Sequence, residues 1–192
     1  MKLISSLSSA LLLVLLPFDL SAEDKKAETA SGFARQTIDL GVVCSDLDKS
    51  LAFYKEVIGF SEAAGFKVGG DFPKNVGLTD GTPLDIRVLA LGDEETATKL
   101  KLMQVKSEKP ARVIKQKYIH VATGFSYLTI FVTDVDAVLA RAKSAGVKPY
   151  AKSPQRLPEG LPQDVCLLML KDPDGNFVEI VGPLTKKLKS SK

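Results

Sequence analysis

Two similar runs of apolar and polar residues follow one another along the chain. In the first, the apolar, β-branched segment 37–44 predicts a strand. Ser45 is the predicted N-cap of a helix, with Asp48 as the acidic residue three positions further on. Apolar residues at helical spacing then indicate the helix itself, at Leu47, Leu51, Tyr54 and Ile58. Gly59 is predicted to end it.

Three further strands complete the first run. They are predicted from β-rich apolar segments, at 60–68, 84–91 and 100–105. The stretch 69–81 is rich in turn-forming residues and predicts a long loop. The first run is therefore one strand, one helix and three strands.

The same order begins again after a connector, where the pattern allows one helical turn. A strand is predicted at 127–132, Thr133 is the predicted N-cap, and Gly146 is the predicted end of the helix. The helical stripe between them consists of Val135, Val138, Leu139 and Ala142.

The remaining strands of the second run are short. One is predicted at 147–151, before a Pro-rich loop at 153–163. Segments 165–170 and 177–181 predict a hairpin across Asp172-Pro173-Asp174-Gly175, a sequence typical of a tight turn.

These two runs are an internal duplication, because their landmarks recur at nearly constant spacing. The acidic helix start recurs 88 residues on, from Asp46 to Asp134, and the closing glycine recurs 87 residues on, from Gly59 to Gly146. The repeated order indicates an α+β fold with two tandem βαβββ modules. One helix covers only one face of such a sheet, so we expect the modules to form a curved mixed sheet around a cleft.

The domain boundaries follow from this pattern. We predict the first module at 37–108 and the second at 126–183, joined by a connector at 109–125. A polar, flexible leader is predicted at 23–36, and a basic tail at 184–192.

Residues 1–22 have the layout of a signal peptide. Lys2 gives a positive start, residues 11–16 form an apolar run, Pro17 breaks it, and Ser21-Ala22 supplies small residues for cleavage. The apolar run is shorter than a membrane span. We therefore expect a secreted or periplasmic protein without stable membrane insertion after cleavage. A buried N-terminal helix is the alternative.

Composition narrows the function classes. Apolar residues make up 45% of the chain, as in an ordinary globular protein. The net charge is +3, from 26 basic and 23 acidic residues, which is too balanced for a nucleic-acid-binding protein. Cys44 and Cys166 lie in apolar strand segments and are predicted to be separate buried thiols, although export would permit a disulfide.

Two segments carry a resemblance to a known family. Asp46–Tyr54 with Ile58-Gly59-Phe60 resembles the first-module signature of the vicinal oxygen chelate superfamily, which includes glyoxalases, bleomycin-resistance proteins and extradiol dioxygenases. Lys171–Ile180 resembles its closing hairpin. The resemblance covers residues 37–183 and implies the paired-module fold. It leaves the reaction open, because one fold hosts many chemistries.

The resemblance also implies a set of site positions. In metal-dependent members, side chains from the first and last strands of each module hold a divalent ion (Zn, Ni, Mn or Fe) that polarises two substrate oxygens. The matching positions in this chain are Asp39, Lys101, Tyr127 and Glu179. Met103 is the alternative to Lys101 if the alignment slips by two residues. Glu179 is also the candidate catalytic residue.

This set departs from the family pattern. It contains no His, and the Lys101 ammonium has no lone pair with which to bind a cation. We therefore predict that no metal binds and that Lys101 takes its place, pairing with Asp39 and Glu179 while Tyr127 hydrogen-bonds nearby. In the alternative, the two carboxylates and water hold a divalent ion weakly.

Arg87 and His120 are the remaining candidates. Arg87 lies on a strand whose alternation is not clean, so it either faces the cleft and binds an anionic group or lies exposed. His120, the only histidine, is either a surface residue of the connector or an acid or base at the lip of the pocket.

Two functions stay open. The first is a small-molecule-binding protein with a degenerate metal site, like the bleomycin-resistance members of the superfamily. The second is a divergent metal-dependent lyase, isomerase or dioxygenase. The missing His ligands and the predicted export favour binding. Whether the modules pair within one chain or across a homodimer is also open.

Overall fold

The computed structural model of the protein describes residues 34–35, 37–93, 95–107 and 111–185. The predicted signal peptide and most of the leader and basic tail lie outside the described residues. No helix in the described part is long and apolar enough to cross a membrane. The predicted α+β fold of two tandem βαβββ modules is confirmed, with one mixed four-stranded sheet in each module.

The first module contains the predicted elements. Its strands are β1 (Asp39–Val43), β2 (Ser61–Val68), β3 (Leu84–Ala90) and β4 (Lys99–Met103). The sheet order is β1-β4-β3-β2, with β1 and β4 parallel and the other pairs antiparallel. The predicted loop at 69–81 contains one short helix, α2 (Phe72–Asn75).

The helix of the first module changes character along its length. The α-helix α1 (Leu47–Ala52) continues into a π-helical turn (Phe53–Ile58). Gly59 ends it in the left-handed conformation, with φ of 106°, as predicted. Gly59 lies 13 positions after Asp46, whereas Gly146 lies 12 positions after Asp134. The wider π-helical winding accommodates this additional residue.

Both helix starts differ by one residue from the prediction. Asp46 is the N-cap of α1 rather than Ser45, and Asp134 is the N-cap of α3 (Val135–Ser144) rather than Thr133. Each carboxylate accepts a backbone N–H of the first helical turn, at 3.1 and 2.9 Å respectively. A carboxylate makes the stronger cap, because its negative charge also complements the positive end of the helix.

The second module repeats the arrangement with one short edge strand. Its strands are β5 (Tyr127–Phe131), β6 (Gln155–Arg156), β7 (Val165–Lys171) and β8 (Phe177–Pro183). The sheet order is β5-β8-β7-β6, with β5 and β8 parallel. The predicted hairpin is confirmed, since β7 and β8 pair from Lys171 opposite Phe177. The connector contains a 3₁₀ turn (Ile119–Val121).

The predicted strand at 147–151 is wrong. The edge strand of the second sheet lies at Gln155–Arg156 instead. Pro149 lacks the backbone N–H that a sheet ladder uses. The Ser153 hydroxyl accepts the backbone N–H of Met169 at 3.1 Å, so a side chain takes the place of a strand partner there.

One hydrophobic core is shared by the two modules. Its fully buried residues include Leu89 and Leu102 from the first sheet and Leu170 and Ile180 from the second. Arg141 of α3 adds a polar link, donating to the carbonyls of residues 57 and 58 at 2.9 and 3.0 Å. These carbonyls are left unpaired where the helix of the first module ends, so the second module completes that end.

Both cysteines are buried and free, as predicted. Burial raises the pKa of the Cys44 thiol. The pKa of the Cys166 thiol is raised by the same cause. The two thiols therefore act as small core residues.

Candidate functional site

The four predicted site positions are related by the strand pairing. Gly41 lies opposite Lys101 in the β1–β4 pair, and Thr129 lies opposite Glu179 in the β5–β8 pair. Asp39 and Tyr127 begin β1 and β5. Lys101 and Glu179 therefore hold equivalent places in the two modules, while the alternative Met103 lies two residues beyond.

Asp39 is the centre of a compact charged group. The Lys101 ammonium lies 2.9 Å from Asp39 Oδ2, and the Arg35 guanidinium lies 2.7 Å from Asp39 Oδ1. The Asp39 side chain is only 15% exposed. The hydrogen bond from Lys101 holds the pKa of this carboxyl below its usual range, with a further contribution from Arg35. Asp39 is therefore ionised at neutral pH and balanced by two cations.

Glu179 is not part of that group. Its Oε2 accepts the Thr129 hydroxyl at 2.8 Å, and among the described residues it forms no ion pair with Lys101. The predicted bridge of Lys101 between two carboxylates is therefore formed on the Asp39 side only. The predicted hydrogen bond from Tyr127 is not seen in the described part of the chain, and its ring is half-exposed. Lys101 and Glu179 lie in different sheets and have different partners.

A cavity of about 410 Å³ lies beside Asp39, where the two modules meet. Its walls are β1, the π-helical turn, the start of β5 and the start of β8. The side chains that line it away from β1 are Tyr54, Phe125, Ser126, Tyr127, Leu128, Asn176 and Phe177. This volume is in the range of small-molecule sites, and the mixture of apolar walls with a few polar groups is typical of them.

One buried carboxylate holds two of these lining residues. Asp172, only 5% exposed, accepts the Tyr54 hydroxyl at 2.9 Å and the Asn176 side-chain amide at 2.8 Å. It also accepts the backbone N–H groups of Asn176 and Asp174. Burial, followed by the charge of Asp172, raises the pKa of Tyr54, so its hydroxyl stays protonated and acts as a donor. The cavity wall is thereby rigidly positioned across the two modules.

Tyr54 and Asn176 line the cavity, although the sequence did not predict them as site residues. Tyr54 lies on the apolar stripe of the helix, which indicated a core position. The Asp172–Gly175 turn was predicted, but nothing in the sequence links its first carboxylate to a tyrosine 118 residues away. A buried acid in a tight turn is the one signal that could have prompted a search for a donor.

Arg87 does not face this cavity. It lies opposite Leu102 in the β3–β4 pair, whereas Val88 lies opposite Lys101. Directly opposed residues share a sheet face, so Arg87 and Lys101 project from opposite faces. Arg87 pairs with Glu62 there, which corrects its predicted role in the cleft.

His120 also lies away from the Asp39 group. Its ring stacks on that of Tyr118 in the connector, with ring centres 5.5 Å apart and the planes at 8°. It lines a different cavity, beside β7.

The residues present do not fit the divalent metal of the chelate superfamily. One of the four matching positions is an ammonium at hydrogen-bond distance from the carboxylate that would have to bind the ion. Among the described residues, no three His, Cys, Asp or Glu side chains converge in a way that could hold a metal. The alternative of a two-carboxylate site is disfavoured, because Asp39 and Glu179 have separate partners.

The model of the Glyoxalase/Bleomycin resistance protein/Dioxygenase superfamily matches residues 37–180. No curated protein matches the sequence.

Several solved structures share the fold. A glyoxalase family protein from Bacillus cereus has a TM-score of 0.65 and 16% identity, covering 82% of this chain and 99% of its own. Glyoxalase I from Leishmania major has a TM-score of 0.51 and 21% identity, and the match covers 78% of this chain and 87% of that protein. Glyoxalase I from Zea mays has a TM-score of 0.55 and 20% identity, and the match covers 78% of this chain and 45% of that protein. At these identities the likeness concerns the fold alone.

Proposed function

Because this chain belongs to the Glyoxalase/Bleomycin resistance protein/Dioxygenase superfamily, we propose that it binds a small organic molecule in the cavity beside Asp39 without a catalytic metal. The fold supplies a cavity of suitable size between the modules. The side chains at the chelating positions support binding over metal-dependent catalysis.

One observation carries the proposal, namely the 2.9 Å contact between the Lys101 ammonium and Asp39. An ammonium offers three donors and no lone pair, so it competes with a metal for the carboxylate. A divalent ion at Asp39 would also lie close to the Arg35 and Lys101 charges, and like charges repel strongly at such distances.

The cavity lining favours a particular ligand chemistry. Leu40, Val42 and Leu128 make its walls largely apolar, and the exposed rings of Phe125 and Tyr127 offer stacking surfaces. Asp39 carries one negative charge between two positive ones, which leaves this end of the site with a net positive charge. The ligand we propose is an aromatic or aliphatic compound with an anionic or strongly accepting group.

Metal titration tests the first half of the proposal. We expect Ni, Zn, Mn and Fe ions to show no stoichiometric binding to the purified protein by calorimetry at neutral pH. Tight one-to-one binding that is lost in Glu179→Gln would instead support the alternative, a divergent metal-dependent lyase, isomerase or dioxygenase. Lys101→Gln is the matched variant, since it removes the ammonium that we propose competes with a metal for Asp39.

Ligand screening tests the second half. We expect anionic aromatic compounds from a fragment library to raise the melting temperature of the wild-type protein. Ser126→Trp should abolish this shift, because the larger side chain fills the cavity. Arg87→Met is the matched control on the opposite sheet face and should leave the shift unchanged. Equal shifts in wild type and Ser126→Trp would refute binding in this cavity.

We further propose that the protein is exported, because residues 1–22 have the layout of a signal peptide. Mass spectrometry of the protein from a periplasmic or secreted fraction should find a mature N-terminus near residue 23. A full-length chain confined to the cytoplasm would contradict export. Homodimer formation remains a proposal that light scattering can test.

A further inference from the structure

Strand β2 (Ser61–Val68) forms a long, exposed edge of the first sheet. Among the described residues, it pairs with β3 on one side and with no strand on the other. Every residue from 61 to 67 is exposed. The side chain of Glu62 is only 25% exposed, so much of the exposed surface of this residue is backbone. Because the outer strand β6 of the second sheet has only two residues, a long edge with backbone N–H and C=O groups available for pairing is a feature of the first module.

A β-bulge lies at the middle of this edge. The register with β3 shifts between Ala63 and Phe66, so Ala64 and Gly65 together lie opposite one residue of β3. A side chain at position 65 would collide with the Ile86 carbonyl, which a glycine avoids. The extra residue changes the alternation of side chains, so Ala63 and Phe66 project from the same face although they are three positions apart.

The two charged residues of β2 also share a face. Glu62 lies opposite Leu89, and Lys67 lies opposite Asp85, four positions away on β3. Because Leu89 belongs to the core, this face is the one on the helix side of the sheet. Lys55 lies 2.6 Å from Glu62 and holds its carboxylate in place, whereas the Lys67 side chain is 82% exposed. The edge thus carries one positioned acid and one accessible cation, five positions apart.

This arrangement is self-complementary. If two copies of β2 pair antiparallel about a two-fold axis through the middle of the bulge, Glu62 of each copy lies opposite Lys67 of the partner subunit. Ala63 lies opposite Phe66 in the same register, so a small side chain meets a large ring. Each opposed pair shares a face, as direct cross-strand contact requires. Opposite charges in cross-strand pairs stabilise a sheet, and the two-fold axis repeats the pair.

Other registers lose these contacts. Sliding one copy by one residue places Glu62 opposite Phe66 or Val68, which project from the other face. Sliding by two residues places Glu62 opposite Gly65 or Gly69 and leaves the carboxylate without an opposed cation. Charges and bulges ordinarily protect an edge strand from pairing. In β2 they disfavour the shifted registers and leave one in which the charges are paired.

We propose that β2 is a self-association surface whose partner is the β2 strand of a second copy of this chain, paired antiparallel with Glu62 opposite Lys67. The two first modules then form one continuous sheet, with four strands from each copy. On its helix side, charges of alternating sign follow one another across the central strands, from Asp85 and Lys67 of one copy to Glu62 and Arg87 of the other. This surface supplies an interface for the proposed homodimer. It does not depend on ligand binding, because the cavity beside Asp39 lies at β1, the opposite edge of the sheet.

Charge reversal tests the register. Sedimentation velocity of the full chain over a range of concentrations should show a monomer–dimer equilibrium. Glu62→Lys and Lys67→Glu should each weaken dimerisation by about tenfold, because like charges then lie opposite one another on both sides of the two-fold axis. An equimolar mixture of the two variants should recover dimerisation to near the wild-type level, since both opposed pairs of the mixed dimer again have opposite charges.

The matched controls are Glu159→Lys and Lys148→Glu, which make the same charge changes at exposed residues of the second module. They should leave dimerisation unchanged, both alone and mixed. Circular dichroism checks that each variant is folded. If Glu62→Lys does not fold, Lys67→Glu decides, because that side chain is largely exposed and its loss of dimerisation supports the surface while unchanged dimerisation overturns it.

The outcomes are distinct. Weakened dimerisation in both variants, with recovery in their mixture, supports the β2 pairing. A dimer that neither variant weakens forms through another surface, which leaves the homodimer standing and overturns this interface. Weakening in both variants without recovery in the mixture overturns the proposed register. A chain that stays monomeric at every concentration overturns both the interface and the homodimer.

Discussion

The two modules share strand order and register, yet they hold their polar groups in different ways. Six ion pairs join described residues; five lie within the first module, and the sixth joins Arg35 of the leader to Asp39 of that module. The second module instead has a buried acid in a turn, Asp172, and a lysine over two rings, Lys171. The apolar pattern that sets the fold was thus retained in both copies, while the polar positions that set the chemistry diverged.

The helices show the same contrast. The first includes a π-helical turn and the second is a regular α-helix, although both begin at an aspartate N-cap. The π-helical turn accommodates the one additional residue before Gly59. Tyr54, which lines the cavity, lies in this widened segment.

Core truncation should have the largest effect and should test whether the modules are independent. Leu89 and Leu170 are fully buried and hold equivalent places opposite Leu100 and Val178. Leu89→Ala and Leu170→Ala should each cost about 3 kcal/mol in the free energy of unfolding. Because the core is shared, urea unfolding should keep a single transition in both variants. Two separated transitions in either variant would show that the modules unfold independently.

Loss of the buried acid should have the next largest effect. Asp172→Ala leaves the Tyr54 hydroxyl and two backbone N–H groups without their acceptor, and we expect a loss of about 2–3 kcal/mol by urea unfolding. Tyr54→Phe removes one of these bonds and should cost about 1 kcal/mol. Asp93→Ala, in the exposed turn between β3 and β4 of the first module, is the matched control and should cost less than about 0.5 kcal/mol. Equal losses in the free energy of unfolding for Asp172→Ala and Asp93→Ala would show that the buried acid of the second module contributes no more than an exposed acid of the first.

The Asp39 group should contribute less, and its contribution should depend on pH. The folded-state pKa of Asp39 lies below its usual value, so the stabilisation is present above the unfolded pKa of about 3.9 and is lost as the pH falls through the folded pKa. Lys101→Met should cost about 1 kcal/mol at pH 7 and little at pH 2. Unfolding curves at several pH values measure this directly.

The control for that experiment is Lys67→Met, since Lys67 pairs with Asp85 at 3.5 Å on the exposed part of the same sheet. It should change the stability little at any pH. A Lys101→Met effect that is constant from pH 7 to pH 2 would exclude the ion pair as its source and indicate lost packing instead.

The smallest effect is expected at Arg87. Arg87→Met breaks a partly exposed pair with Glu62 and should change the stability by less than about 0.5 kcal/mol. Ligand affinity should not change, because Arg87 projects from the face opposite Lys101. A clear loss of ligand affinity in Arg87→Met, measured by calorimetry, would show instead that Arg87 contributes to the binding site.

The elements that the sequence predicted well are those with local signals. Gly59 and the Asp172–Gly175 turn were identified from residue type alone, because left-handed helix ends and tight hairpins restrict which residues fit. The pairing of Asp39 with Lys101 followed from the resemblance and the chemistry of an ammonium.

Other features depend on contacts that no local pattern reports. The face on which Arg87 lies was undetermined, because its apolar neighbours Ile86, Val88 and Leu89 do not alternate cleanly. The hydrogen bond from the Tyr150 hydroxyl to the Lys117 carbonyl joins the second module to the connector across 33 residues of chain. Lys101 pairs with Asp39 and Glu179 accepts from Thr129, each within its own sheet, and the sequence pattern within one sheet does not report contacts to the other.

The bond from Tyr54 to Asp172 also bears on how such a chain can evolve. In a symmetric dimer of identical subunits, each contact across the two-fold axis occurs twice, so a substitution alters both ends of the interface at once. Here the contact occurs once: by the helix-start spacing of 88, the counterpart of Tyr54 is Ala142, which has no hydroxyl. Because the two halves are covalently joined and differ in sequence, the interface between them need not be self-complementary. A substitution can therefore change the surface of one half without changing that of the other.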